Sequence, residues 1–358
     1  MIRTYSFKIR HSEKHAQWIE STLGATRFIY NLAKETKEEA YKKGVKLSGY
    51  DLSNQFTQCK KEQGFEWLKD VPAQTSQGII ERMDNAFKSF FKGAGYPKWA
   101  SKKKWKSIPF KDVKQVSHNT FKLPKIGEIK VFNPKTIKGK LKTAKIIKEC
   151  DGYYLQVQFE TEVQHTEKPH KDLGIDRGLV YLAVTSDGEY IYNPKINEKA
   201  EKQLRILNRK LSRTKKGSKN REKIVKQLQK IYLKSKRQRL DFLHKLTTKL
   251  GNSYEIIFLE DLKTSKMVKD KKFSKCISDV GWYKFEELLN YKTFVHKVNP
   301  VYTSQECSNC GHTHKDNRPS QSKFNCMSCG HEENADSNAS KVILKRGRAD
   351  LYNAKVSH

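Results

Sequence analysis

Two sets of residues in this chain have the types and spacing to do chemistry. The first lies in CSNCGHTHKDNRPSQSKFNCMSCG: Cys307 and Cys310 are two residues apart, Cys326 and Cys329 likewise, and fifteen residues separate the pairs. Four thiolates at this spacing suit one tetrahedral Zn²⁺ in a ribbon, with Gly311 and Gly330 allowing the tight turn after each pair. Bound zinc contributes on the order of 10 kcal/mol to folding such a coreless module. His312, His314 and His331 lie nearby, but four cysteines already fill the shell, so they read as non-ligands. Cys59, Cys150 and Cys276 lack partner spacing and read as packing residues or exposed thiols.

The second set is acidic. In LGIDRGLVYLAV (173–184), Asp176 sits within an apolar run, where an ionised carboxylate costs several kcal/mol unless paired or metal-bound. YEIIFLEDL (254–262) reads as a buried strand ending in Glu260, although Asp261 is the alternative, since strand alternation points only one of them inward. In NADSNASKVIL (334–344), Asp336 falls in the first turn of a helix, where the dipole favours a carboxylate by roughly 0.3–1 kcal/mol. If the three converge, pairs about 4 Å apart repel by roughly 4 kcal/mol at an effective dielectric near 20. Mg²⁺ relieves such repulsion, and two ions about 3.5–4 Å apart can activate water and stabilise the leaving oxygen of a phosphodiester.

The positioning elements follow from periodicity. Residues 1–10 alternate like a strand. Helical spacing begins near His15, with Trp18, Ile19, Leu23, Phe28, Ile29 and Leu32 on one stripe, and returns after Pro72 with Ile79, Ile80, Met83, Phe87, Phe90 and Phe91. Residues 108–165 read as short strands of an antiparallel barrel or sheet, and EVQHTEKPHKD (162–172) as a linker. A hairpin then carries Asp176, a long helical pair spans 198–250 with a break at 215–220, and a strand delivers Glu260. Hairpin, helical crossover, strand, then a helix opening with Asp is the order of an RNase H-like α/β fold.

The chain has 358 residues, with 72 Lys and Arg against 39 Asp and Glu, a formal net charge of +33. That field selects a polyanion, nucleic acid before an anionic membrane. No apolar run approaches the length of a membrane span, and MIRTYSFKIRHSEKH lacks the apolar core of a signal peptide, so the expected location is the cytoplasm, with reduced cysteines. Arg205, Arg209, Lys210, Arg213, Arg237 and Arg239 crowd the helical pair unmatched by acids and read as phosphate contacts. In YPKWASKKKWKS (96–107), Trp99, Lys103 and Trp105 interleave aromatic faces for bases with charge for phosphates.

These motifs together resemble the TnpB family of transposon-associated RNA-guided DNA nucleases, related to type V CRISPR effectors. The resemblance runs from RFIYN (27–31), VPAQTSQ (71–77), YPKW (96–99) and LPKIG (123–127) to GIDRG (174–178), LEDL (259–262), TSQECSNCG (303–311) and DSNAS (336–340), the last four being the specific ones. It implies that Asp176, Glu260 and Asp336 are RuvC-type catalytic acids. It implies structural zinc on Cys307, Cys310, Cys326 and Cys329, within a target-nucleic-acid-binding insert at 302–330. The implied architecture is a multidomain mixture of α/β and β: a wedge β-barrel from 1–10 and 108–165, a helical recognition domain at 11–107, and an RNase H-like RuvC domain from 166–301 and 331–358. The implied activity is Mg²⁺-dependent cutting of double-stranded DNA beside a short flanking motif, one site cutting both strands, with a guide RNA from the transposon end. The alternatives are a catalytically silent RNA-guided repressor and a guide-free resolvase or transposase. Two positions depart from the family pattern: Ala335 stands where arginine usually precedes the last acid, and Ser340 replaces the second alanine of Asn-Ala-Ala.

Overall fold

The computed structural model describes residues 1–132, 134, 136–161, 169–263, 267 and 274–356. Most of the expected linker, residues 162–168, lies outside them. Contacts divide the chain into two units, Met1–Gln164 and His165–His358.

In the first unit, β1 (Ile2–Arg10) leads into α1 (Glu13–Lys42), which starts where Ser12 accepts a hydrogen bond from the His15 N–H at 3.2 Å. Two shorter helices follow: α2 (Gly49–Cys59), opened by a Ser48/Asp51 capping box, and α3 (Ala73–Phe90), with Pro72 at its N-cap. Six further strands, β2 (Ser107–Phe110), β3 (Lys114–Ser117), β4 (Thr120–Leu123), β5 (Gly127–Val131), β6 (Lys140–Glu149) and β7 (Gly152–Glu160), join β1 in a sheet of order β2-β6-β7-β1-β5-β4-β3. β1 pairs with β7 through residues 2–8 and with β5 through Ile9 and Arg10, so one strand serves both halves. β2 and β3 are its edges, and among the described residues no ladder joins them into a closed barrel. Helices and sheet share one core, in which Ile19, Ile29, Ile79 and Phe87 pack with Phe110, Phe121, Leu155 and Phe159.

Trp105 belongs to that core and is not a base-stacking residue. It is buried, its Nε1 donates to Thr26 Oγ1 at 2.9 Å, and the Tyr30 and Arg82 side chains cover its ring. The cause is a strap: the Asn31 side chain exchanges two hydrogen bonds with the backbone of Ala100, at 2.8 and 3.2 Å, drawing this segment onto α1. Trp99 and Lys103 stay exposed, with the Lys34 ammonium 4.0 Å from the Trp99 ring centre.

The second unit is built on β8 (Asp172–Asp176), β9 (Tyr181–Thr185), β10 (Tyr190–Tyr192), β11 (Ile256–Glu260) and β12 (Phe294–Val298), in the order β10-β9-β8-β11-β12. The hairpin strands are antiparallel, whereas β8, β11 and β12 run parallel. Between β10 and β11 come α4 (Ile196–Ser212) and α5 (Lys219–Ser253), joined by a turn that Arg221 pins by donating to the Leu211 carbonyl at 2.8 Å. α6 (Ser274–Val280) and α7 (Trp282–Asn290) precede β12. A two-stranded ribbon, β13 (Lys323–Asn325) and β14 (Glu332–Asn334), leads into α8 (Ala335–Val356). The ribbon thus extends to Asn334, four residues beyond the expected limit at 330.

Strand alternation sorts β11 between two cores. Ile257 and Leu259 pack with Leu243, Leu250, Phe285 and Leu289 of α5 and α7, while Phe258 packs with Val298 and Ile343 of α8. Gly174 and Gly347 let α8 approach closely: a Cβ on Gly174 would lie 2.2 Å from the Ser340 carbonyl oxygen, and one on Gly347 2.0 Å from the Phe258 ring. Gly174→Ala therefore has no space for its methyl group. It should lower the stability of this unit by about 1–3 kcal/mol in chemical denaturation, by forcing α8 off the sheet.

Candidate functional site

The same alternation places the acids. Asp176 is two residues after Gly174 and Glu260 two after Phe258, and Gly174 pairs directly with Phe258 across the parallel ladder. Both carboxylates therefore leave the strand ends on the face that α8 covers. Asp336 arrives in the first turn of α8, where the Asn334 side chain accepts from the N–H groups of Asp336 and Ser337 at 3.0 and 3.4 Å. Asp261, the alternative on β11, is exposed and pairs with Lys297 at 3.3 Å.

The other two acids act on Asp176. Burial, then the charges of Glu260 and Asp336, push the Asp176 carboxyl up to about 7, and Arg318 only partly offsets this. Burial likewise raises Asp336 against the opposing effect of Arg318. Glu260 is buried and accepts from the Thr303 hydroxyl at 2.5 Å, while its carbonyl accepts from the enclosed Arg177 guanidinium at 2.5 Å. Arg177 also pairs with Glu286 at 3.3 Å. Such a set suits a hard cation: the donors are carboxylate oxygens, and Arg318, the cation paired with Asp336, offsets only part of what burial and like charge do to Asp176.

Arg318, Thr303 and Arg177 were not legible as site residues. Arg318 reaches the Asp336 carboxylate at 3.3 Å from inside the ribbon, while also donating to the Gln321 carbonyl at 2.7 Å. The residue next to Asp336, Ala335, is buried against Cys307, Phe324 and Cys326, a pocket without room for arginine. A guanidinium therefore meets the last acid from a different point in the chain than the family pattern suggests. Ser340 is buried and its hydroxyl donates to the Ser337 carbonyl at 2.7 Å.

The four cysteine sulfurs lie within 4.8 Å of one another, with Cys307 and Cys329 3.7 Å apart and Cys310 and Cys326 3.5 Å. A Zn–S bond of 2.3 Å in a regular tetrahedron requires about 3.8 Å between sulfurs, so the cage fits zinc. The His331 N–H, with Cys310, holds the Cys329 thiol down at about 6. His312 stacks on His314, and His331 meets Glu333 at 3.3 Å; no histidine joins the cage among the described residues. Two asparagines brace the module. Asn317 bonds Gln305, His312 and Met327 at 2.9–3.1 Å. Asn338 of α8 bonds the Glu306 carbonyl and the Ser308 N–H at 2.7 and 2.9 Å, on either side of Cys307.

Of the basic residues read as phosphate contacts, Arg205, Arg209, Lys210, Arg213 and Arg237 are exposed on α4, its C-terminal end and α5, and Arg205 pairs with Glu201 at 3.5 Å. Arg239 differs. It pairs with Asp279 at 2.6 Å, and Asp279 also accepts from the Asn197 N–H, so the Asp279 carboxylate ties α4, α5 and α6 together and engages this guanidinium.

Residues 155–271 match the OrfB_IS605 family, described as a probable transposase, and residues 282–343 match the Cas12f1-like TNB domain. Residues 1–46 match a model described as a helix-turn-helix domain, although here they form β1 and one continuous helix. TnpB-like protein MJ1635 of Methanocaldococcus jannaschii is 32% identical over 36% of this chain and 31% of its own. InsQ of Escherichia coli (strain K12), named as a candidate RNA-guided DNA endonuclease, is 33% identical over 98% of this chain and 93% of its own. The chain belongs to the TnpB family. Among solved structures, the mini-RNA-guided endonuclease CRISPR-Cas_phi3 shares the fold, with a TM-score of 0.53 at 11% identity over 97% of this chain and 92% of that one. No helix among the described residues is long and apolar enough to cross a membrane.

Two predictions follow from this member of the TnpB family. A carboxyl raised above its unfolded value of 3.8 keeps a proton in the native state that the unfolded chain gives up. Its contribution to stability is full below pH about 4 and is lost as pH rises through about 7. Asp176→Asn should therefore melt higher than the metal-free wild type at pH 8, with the gain narrowing toward pH 5, in calorimetric scans. Cys329→Ser should lower the zinc content in metal analysis and free Arg318, so limited proteolysis should open residues 302–334 first.

Proposed function

We propose that this TnpB-family protein is an RNA-guided DNA endonuclease whose second unit is an RNase H-like RuvC nuclease domain with an inserted zinc ribbon. The reading is supported by Asp176 and Glu260 at neighbouring strand ends of a mixed sheet and by the charge of Asp336, at the start of α8, reaching Asp176, in a chain of net charge +33. Relatives named as RNA-guided or CRISPR-associated endonucleases support it. The partners are a guide RNA and the double-stranded DNA it matches. The first unit then supplies the wedge and recognition surfaces, with Trp99 and Lys103 as contacts to nucleic acid, and the second unit adds the exposed arginines of α4 and α5. Base pairing reads the target, so the protein needs mainly backbone contacts to the heteroduplex.

In this reading Asp176, Glu260 and Asp336 hold two Mg²⁺ ions, and the four cysteines one Zn²⁺. Bound magnesium supplies an activated water and stabilises the leaving oxygen of the phosphodiester. The chain's own residues do the rest. Thr303 and Arg177 fix Glu260, Asn334 fixes the first turn of α8, and Arg318 steadies Asp336 and limits the repulsion among the acids. The +33 charge draws the polyanionic substrate to this acidic spot.

Asp176→Ala separates the nuclease from the silent repressor. With guide RNA bound, the variant should shift a matched target in a gel as well as wild type does, while cutting of a matched plasmid in Mg²⁺ disappears on both strands. Asp261→Asn should cut nearly normally. Wild type that binds its target but never cuts, beside any flanking motif in a randomised library, would establish the repressor instead.

A further inference from the structure

Three tyrosines on β9 and β10 have no part in the metal chemistry. The Tyr181 ring centre lies 5.0 Å from those of both Tyr190 and Tyr192, with ring planes inclined at 66° and 56°. Tyr192 is 69% exposed, so core packing does not account for the group.

Three observations set this cluster beside the acids. The Tyr190 hydroxyl lies 2.6 Å from that of Ser337, the residue after Asp336. Tyr190 pairs with Val184, and Val184 with Asp176. Residues directly opposite share a face, so Tyr190 and Asp176 stand in one row of the sheet, two strand spacings or roughly 10 Å apart. The Tyr181 hydroxyl is pushed up by its hydrogen bond to Tyr192 and also by the Asp336 charge, as it would be in the field of that carboxylate.

We infer that Tyr181, Tyr190 and Tyr192 form a stacking platform for an unpaired base of the strand being cut, next to the phosphodiester at the acids. The inference rests on the nuclease reading of the acid site. A strand whose phosphodiester lies at Asp176 must run its neighbouring nucleotides over the adjoining surface, and on the β9–β10 side that surface is aromatic. Bases stack on phenol rings whatever their identity, which suits a nuclease whose sequence is read by a guide. Hydroxyl pairing of Tyr190 to Ser337 ties the platform to the turn that carries Asp336, so base and phosphate are placed by one rigid element. The occupant is single-stranded: a base still paired in a duplex has no free face to give.

The test is a double-mutant cycle with the protein–guide complex. The substrate is guide-matched DNA in which single abasic residues replace nucleotides around each cut. With intact DNA, the double variant Tyr181→Ala/Tyr192→Ala should lose roughly tenfold in cleavage kcat/KM, the scale of one base–aromatic stack. An abasic residue at one position beside the cut should cost wild type a similar factor, and the variant no further loss on that substrate. Tyr192→Phe, which keeps the ring, should restore cleavage to Tyr192→Ala. Losses that multiply at every abasic position, or no loss in the alanine variants, overturn the platform while leaving the nuclease standing. Failure of wild type to cut any substrate overturns the nuclease reading, and the platform with it.

Discussion

The Ser340 carbonyl of α8 packs against Gly174 of β8 so closely that no side chain fits between them. Two residues along the strand from that contact is Asp176, and four residues back along the helix is Asp336. The approach of helix to sheet therefore sets the spacing between two carboxylates that come from distant parts of the sequence. The third, Glu260, joins through the parallel ladder that pairs Gly174 with Phe258. Packing of small residues thus imposes a concentration of negative charge that the chain would otherwise avoid. Burial first, and then those charges, displace the Asp176 carboxyl to about 7.

What offsets this cost comes from the insert. Arg318 pairs with Asp336 and Thr303 donates to Glu260, while Asn338 of α8 clasps the backbone on both sides of Cys307. The ribbon has a core of only Cys307, Phe324, Cys326 and Ala335, so its shape depends on the sulfur cage and on Asn317. The sulfur cage and the acids, unlike in chemistry, are thereby coupled through a few hydrogen bonds. Loss of the first should be felt at the second without any ligand being removed.

The parts of this arrangement with strong local signals were legible in the sequence. Cysteine spacing, the apolar runs around Asp176 and Glu260, and the helix opened by Asp336 each follow from short-range rules, and α4 and α5 lie where the charged helical pattern placed them. The misreadings have one origin, which is that tertiary contacts decide what a polar or aromatic residue does. Trp105 lies in a lysine-rich segment that reads as solvent-facing, yet Asn31 straps that segment onto α1. Arg239 has the same surroundings in sequence as Arg237 but meets Asp279 from another helix. Arg318 could not be found at all, because nothing local links it to an acid eighteen residues away.

Proton release on metal binding tests the central claim most directly. If Asp176, buried and beside the charges of Glu260 and Asp336, holds a proton near pH 7, a divalent cation bound by the three must displace that proton. Titrating zinc-loaded protein with Mg²⁺ or Mn²⁺ at pH 6.5, in two buffers of different ionisation enthalpy, measures it by calorimetry. The account predicts binding with net proton release that fades by pH 9 and is absent in Asp176→Asn. Binding without proton release at pH 6.5, or equal binding by Asp176→Asn, would contradict it.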